Sequence, residues 1–180
     1  MAKVLLSGPP GSGKTTLTNR VVHILRERGA VLAGFTTADI RRGGRRTGFT
    51  ITGIGGLERL LAVRGGGGPQ VGSYGVDIAA FEEVALLEVE NGLELGATLV
   101  IDEIGKMELL SPRFQALVPR IFEAERVLAT VPMHVDPLTL ELKHRADTRV
   151  IELPLSEPDL AETIACWVME KDVASRYSSR

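Results

Sequence analysis

The chain has 180 residues, 44% of them hydrophobic and 24% charged, with a formal charge of −2. That length suits one domain spanning residues 1–180, and the slightly acidic balance argues against nucleic acid as the main partner. A single cysteine, Cys166, excludes an internal disulfide framework and any multi-cysteine metal site. Apolar residues 4–6 are too few for a leader peptide, and no run approaches the roughly 18 apolar residues of a membrane helix. A cytoplasmic monomer with no membrane contact is expected.

In chain order, residues 3–7 form an apolar run ending in a glycine-rich turn, which predicts a buried strand. Residues 15–28 carry helical spacing (Leu17, Val21, Ile24, Leu25) and stop before Gly29. Residues 31–40 and 47–54 read as strands around Arg42-Gly43-Gly44-Arg45, predicting a hairpin. The run Gly65–Gly68 before Pro69 predicts a flexible loop, and residues 71–76 a further strand. Asp77 is placed to cap a helix running to residue 95. Residues 97–101 are β-rich and apolar. Ser111-Pro112 opens a helix to about residue 125. Strands follow at 126–131 and 148–153, and Ser156-Glu157-Pro158-Asp159 opens the last helix. Alternating strands and helices predict an α/β fold, a mainly parallel sheet covered on both faces with an inserted antiparallel β-hairpin.

Gly8-Pro9-Pro10-Gly11-Ser12-Gly13-Lys14-Thr15 fits the P-loop pattern G-x-x-x-x-G-K-[ST]. Glycines let consecutive backbone N–H groups curl around a phosphate, and the following helix points its positive end at the same anion. Lys14 reaches the β- and γ-phosphates, and the Thr15 hydroxyl is a Mg²⁺ ligand. Thr16 completes the nucleotide-binding set.

Such a cradle needs an acid at the end of a buried strand. Asp102 follows the run 98–101 and is the expected Mg²⁺ partner. Alternation along an extended chain predicts that Glu103 points elsewhere, free to polarise the attacking water. Lys106 is a candidate for stabilising charge on the leaving phosphate; a surface lysine is the plainer reading. Thr130, at the end of the next strand, is a candidate to touch the γ-phosphate or the water. The plainer reading is a strand-end hydroxyl satisfied by backbone.

Arg41-Arg42-Gly43-Gly44-Arg45-Arg46 gathers four cations at a turn. It reads as a flap placing Arg42, Arg45 or Arg46 on the triphosphate, as a local RNA patch, or as a solvated tip. Arg45 and Arg46 are the assigned catalytic candidates, and Gly34 and Gly48 are placed to let the hairpin move. His134 and His144 lack metal-ligand spacing. Cys166 and Trp167 look like packing residues. No Asn/Thr-Lys-x-Asp motif argues for guanine selectivity.

These residues resemble a known family, the small P-loop nucleoside-triphosphatases first described from thermophiles, whose relatives include a cancer-related nucleoside-triphosphatase. The matching stretches are Gly8–Thr15, 34–37, 43–49, 71–74, 81–82 and Ile101-Asp102-Glu103-Ile104-Gly105-Lys106-Met107-Glu108-Leu109. The resemblance implies a P-loop NTPase three-layer fold similar to adenylate-kinase-type and RecA-type proteins. It also implies Mg²⁺-dependent hydrolysis of several nucleoside triphosphates to diphosphates with little base selectivity. Where family members carry Asn-Arg before the last helix, this chain has Leu155-Ser156-Glu157-Pro158. Two alternatives stand beside hydrolysis: a nucleoside or nucleotide kinase on the same cradle, and a nucleotide-gated module binding RNA or a partner.

Overall fold

A computed structural model describes residues 2–133, 136–155 and 157–170. His134 and the capping role expected of Ser156 lie outside the described residues. Nine strands form one sheet: β1 (Ala2–Gly8), β2 (Leu32–Arg42), β3 (Arg45–Gly53), β4 (Glu58–Arg64), β5 (Gln70–Val71), β6 (Tyr74–Val76), β7 (Thr98–Ile101), β8 (Arg126–Pro132) and β9 (Thr148–Glu152). Five helices flank it: α1 (Lys14–Glu27), α2 (Ile78–Leu95), α3 (Pro112–Ile121), α4 (Pro137–His144) and α5 (Leu160–Met169). Among the described residues no helix is long and apolar enough to cross a membrane.

The sheet order is β5-β6-β4-β3-β2-β7-β8-β1-β9. From β2 to β9 all neighbours are parallel, and from β5 to β2 all are antiparallel. The middle strands of the parallel half are mostly apolar, and every residue of β7 is buried, as helices on both faces require. One face packs on α2 and α3, where Phe35, Phe81 and Phe114 meet edge to face with ring centroids 5.1–5.7 Å apart. The other face packs on α1 and α5 through Val4, Leu6, Val21, Leu25 and Ile164. The α/β three-layer class expected from the sequence is the one formed.

The antiparallel part is larger than the expected hairpin. β4 continues it, and the segment 71–76 is a tight β5–β6 hairpin, because Gly72 takes a left-handed φ of 61° and breaks the strand. Helix α3 stops at Ile121 rather than near residue 125. Helix α4, not expected from the sequence, is capped by Asp136, whose carboxylate accepts from Leu138 and Thr139 N–H, with Pro137 at its first position.

The two glycines placed to let the hairpin move also have a steric role. A Cβ on Gly34 would lie 2.0 Å from the Val100 carbonyl oxygen, and one on Gly48 would lie 2.5 Å from that of Ala62. Both glycines permit close strand approach. The loop at Gly65–Gly68 is tied to β6 and its turn: Gly65 N–H donates to Ser73 O and Val76 N–H to Pro69 O, each at 2.9 Å. Cys166 is exposed, and its Sγ accepts from Arg28, so it is not a core packing residue.

Candidate functional site

The carboxyl ends of β1, β7 and β8 lie side by side, with Gly8 level with Pro132 and Ile101 with Ala129. Chain reversals there leave a crevice at the strand ends, where ligands of such sheets gather. A cavity of about 730 Å³ opens at this edge and extends along the β2–β3 hairpin to Arg41 and Arg46. A second cavity, about 480 Å³, lies between β4 and residues 66–69 and includes no residue of the P-loop or the acid cluster.

The P-loop wall is built from backbone. Gly11 and Gly13 take φ of 79° and 92°, which L side chains rarely adopt. Gly13 is the N-cap of α1 and offers no side chain to the first turn, so that turn's N–H groups remain available to an anion. Gly8 is small for another reason, since a Cβ there would meet Ser12 Oγ at 2.6 Å. Lys14 is buried, and its Nζ donates to Gly8 O at 2.8 Å and Pro9 O at 3.4 Å. The same Nζ stands 3.5 Å from Glu103 Oε2. The buried Ser12 Oγ has no partner. Pro9, Pro10, Thr15 and Thr16 also line the cavity.

Asp102 follows β7 and is fully buried. Thr130 Oγ1, also fully buried, donates to its Oδ1 at 2.7 Å, while Oδ2 has no partner. Burial pushes the Asp102 carboxyl above its ordinary value, opposed by the Thr130 and Thr15 hydroxyls, the Lys14 charge and the Thr37 backbone. Glu103 is raised too, first by burial and then by Asp102, with Lys14 opposing. Glu103 lines the cavity, Asp102 turns to Thr130, and both feel the Lys14 charge.

Thr130 is absent from the cavity wall, and its hydroxyl proton is committed to Asp102. That places it behind the acid rather than against a phosphate or water. Lys106 is exposed on the cavity wall. Glu108, not singled out from the sequence, is buried yet lines the cavity, and burial pushes its carboxyl up to about 8. The signal available for it was an acid set between Met107 and the apolar pair Leu109-Leu110.

Cross-strand pairing decides which arginines face the cavity. Arg41 lies opposite Arg46 and Arg42 opposite Arg45, and paired residues share a sheet face. Arg41 and Arg46 line the cavity; Arg42 and Arg45 do not and are exposed. The assigned candidate Arg45 is thus on the wrong face, and Arg41 takes its place. Both facing arginines pair with one carboxylate: Arg41 Nη2 is 2.7 Å from Asp39 Oδ2, and Arg46 Nε is 2.7 Å from Asp39 Oδ1. The Arg46 guanidinium also lies 5.2 Å from the Phe49 ring centroid.

The oxygen donors suit Mg²⁺. Asp102 has an unpartnered buried oxygen, and the Thr15 hydroxyl is close enough to favour its ionised form. Among the described residues no group of three His, Cys, Asp or Glu could hold a metal unaided. A site with one carboxylate and one hydroxyl fits an ion that brings water and nucleotide phosphates as its other ligands.

Fold and cavity together define a P-loop nucleotide-binding protein of the α/β class. A family described as NTPase matches residues 3–165. The chain is 39% identical over 153 residues to nucleoside-triphosphatase THEP1 of Thermotoga sp. (strain RQ2), covering 84% of this chain and 86% of that protein. It is 37% identical over 165 residues to the cancer-related nucleoside-triphosphatase of Homo sapiens, covering 83% and 87%. The crystal structure of THEP1 from the hyperthermophile Aquifex aeolicus aligns with a TM-score of 0.81 at 34% identity, over 93% of this chain and 99% of that one. The solution structure of the human cancer-related protein aligns at 0.74 and 32% identity, over the whole of both chains. The chain belongs to this NTPase family of nucleoside-triphosphate hydrolases.

Proposed function

We propose that this protein hydrolyses nucleoside 5′-triphosphates to diphosphate and phosphate, depends on Mg²⁺ and discriminates little between bases. One observation carries the reading: Lys14, Asp102 and Glu103 converge at the strand ends, with Lys14 between the P-loop carbonyls and Glu103. P-loop N–H groups bind the phosphates, and Lys14 exchanges Gly8 O for phosphate oxygens when nucleotide enters. Thr15 and Asp102 would hold Mg²⁺, which when bound neutralises charge on the β- and γ-phosphate oxygens. Thr130 fixes the Asp102 carboxylate by donating to Oδ1. Glu103 accepts a proton from the attacking water; burial has raised its proton affinity toward that task. Arg46 and Arg41, with Lys106, supply cations on the cavity wall.

None of these groups reads a base edge. A site without paired polar groups for the base has little to lose when the base changes. The kcat/KM values for ATP, GTP, CTP and UTP are therefore expected within about tenfold of each other with Mg²⁺, about 1.4 kcal/mol. A thousandfold preference for one base, or phosphate release that needs an added acceptor, would overturn the proposal.

A further inference from the structure

Glu108 has no part in the roles assigned above. It begins the 3-10 turn Glu108–Leu110, is 6% exposed, and still reaches the wall shared by Lys14 and Glu103. Its side chain folds back so that Oε2 accepts the Gly105 N–H at 3.1 Å. The Leu109 N–H donates to Gly105 O at 2.9 Å, so Gly105 is held through both its backbone groups. One residue earlier, Ile104 N–H donates to Thr130 O at 2.9 Å and ties the same turn to β8.

Gly105 is also where the two glutamates approach. A Cβ there would lie 3.1 Å from Glu103 Oε1 and 3.1 Å from Glu108 Oε2. The glycine therefore leaves room for both carboxyls at once. Glu103 is followed directly by a residue fixed by Thr130 and then by a residue fixed by Glu108. A buried carboxyl is a costly acceptor for one backbone N–H, because its desolvation opposes the bond it makes. A shorter polar side chain or a water would satisfy Gly105 at less cost, and neither would define the turn from the cavity side.

We propose that Glu108 is a positioning residue for the hydrolysis: through Gly105 it fixes the turn that aims Glu103 into the cavity. The proposal rests on the reading of Glu103 as the group that receives the proton of the attacking water. Burial supports it, since a Glu108 held largely protonated at neutral pH places little extra negative charge beside Glu103 and the triphosphate.

A double-mutant cycle tests it, with kcat and KM for Mg–ATP measured on wild type, Glu108→Met, Glu103→Gln and the double variant. Methionine keeps the reach and suits burial but cannot take the carboxylate's bond from Gly105. Glu108→Met is expected to lower kcat at least about tenfold with KM within about threefold, the mark of an interaction that matters in the transition state. Glu108→Gln, whose amide oxygen can accept the same bond, is expected to recover kcat to within about threefold of wild type. In the Glu103→Gln background, Glu108→Met is expected to change kcat less than about twofold, because its effect passes through Glu103. If Glu108→Met fails to fold, Glu108→Leu takes its place in the cycle, since it too removes the acceptor for the Gly105 N–H and leaves Glu103 untouched. Equal losses in both backgrounds, a loss carried in KM, or wild-type kcat in the first variant would overturn the proposal. The two readings fail separately. Wild-type kcat in Glu103→Gln removes the role of Glu103 and that of Glu108 with it, whereas a low kcat with an additive cycle removes only that of Glu108.

Discussion

At the P-loop end of the cavity, Gly11 and Gly13 shape the wall by their own φ, and Lys14 and Asp102 are buried. At the hairpin end, Arg41 and Arg46 reach the cavity from partly exposed strands and share Asp39 as counter-ion. The first wall is backbone at the ends of parallel strands. Its geometry is set by the fold and leaves substrate little to rearrange. The second is made of long side chains already paired, so phosphate must compete with Asp39 for them. Losses at the first wall are therefore expected to be large and losses at the second graded.

The largest effect is expected at Lys14. Lys14→Ala removes the only buried cation of the P-loop wall, and kcat should fall about 10²–10³-fold with weaker triphosphate binding, the scale of one lost charge-stabilising donor. Steady-state kinetics with a circular dichroism check of folding measures it. Near-wild-type turnover in a folded variant would remove the contrast at its strongest point.

Asp102 and Thr130 sharpen the comparison within the buried wall. Asp102→Asn is expected to raise the Mg²⁺ concentration for half-maximal activity about tenfold or more, since it removes an anionic oxygen. Thr130→Val deletes one buried hydrogen bond and should shift the same Mg²⁺ curve in the same direction by less, with about 1–3 kcal/mol of lost stability. A Mg²⁺ titration of activity on both variants decides it. If Thr130→Val lowers kcat and leaves the Mg²⁺ curve unmoved, Thr130 acts on the reaction directly.

Glu108 gives the buried end a pH signature. Its carboxyl is near 8 in the folded protein against 4.5 unfolded, so the folded state keeps a proton that the unfolded chain releases. Where the unfolded state binds fewer protons, stability falls as pH rises. The stabilising difference is greatest below about pH 4.5 and is lost progressively up to about pH 8. Without nucleotide or Mg²⁺, wild type should lose a few kcal/mol relative to Glu108→Gln between pH 5 and 8. Denaturant unfolding of both proteins across that range measures it, and parallel curves would contradict it.

The smallest effects belong to the hairpin. Arg46→Ala is expected to lower kcat about tenfold and Arg41→Ala by less, with diphosphate affinity nearly unchanged, since the contacts strengthen on the developing charge. Arg45→Ala and Arg42→Ala, on the outward face, should fall within about 0.5 kcal/mol of wild type in stability and show no kinetic change. Four single variants assayed at saturating Mg–ATP sort the faces, and a loss confined to Arg42 or Arg45 would reverse them.

The same division marks how far the sequence could be read. The P-loop and the acid after an apolar strand are local signals, since spacing alone fixes backbone turns and strand ends, and the acid lies within reach of Thr15 and Lys14 of the P-loop. That Asp102 turns to Thr130 and Glu103 to Lys14 required the fold. Thr130 lies on the strand beside β7, but spacing does not reveal its partner Asp102, which follows β7. The arginine faces were nearly legible. A two-residue Gly43-Gly44 turn already pairs Arg42 with Arg45 and Arg41 with Arg46, and only the side facing the P-loop required the fold. β4 escaped notice because charged Glu58, Arg59 and Arg64 bracket a short apolar centre. Helix α4 did carry a signal, Asp136-Pro137, of the same kind as Ser111-Pro112. The close approach at Gly34 and Gly48 required the fold, because a glycine needed for close approach and one needed for motion look identical in sequence.

The most direct test of the account is the rate of Glu103→Gln at saturating Mg–ATP, beside its affinities for Mg²⁺ and nucleotide. Glutamine keeps the shape of the side chain and loses the ability to take a proton at neutral pH. The account predicts kcat lower by about 10²-fold or more, the scale of a lost general base, with both affinities within about threefold of wild type. Wild-type kcat in this variant would contradict the assignment of Glu103 to the attacking water.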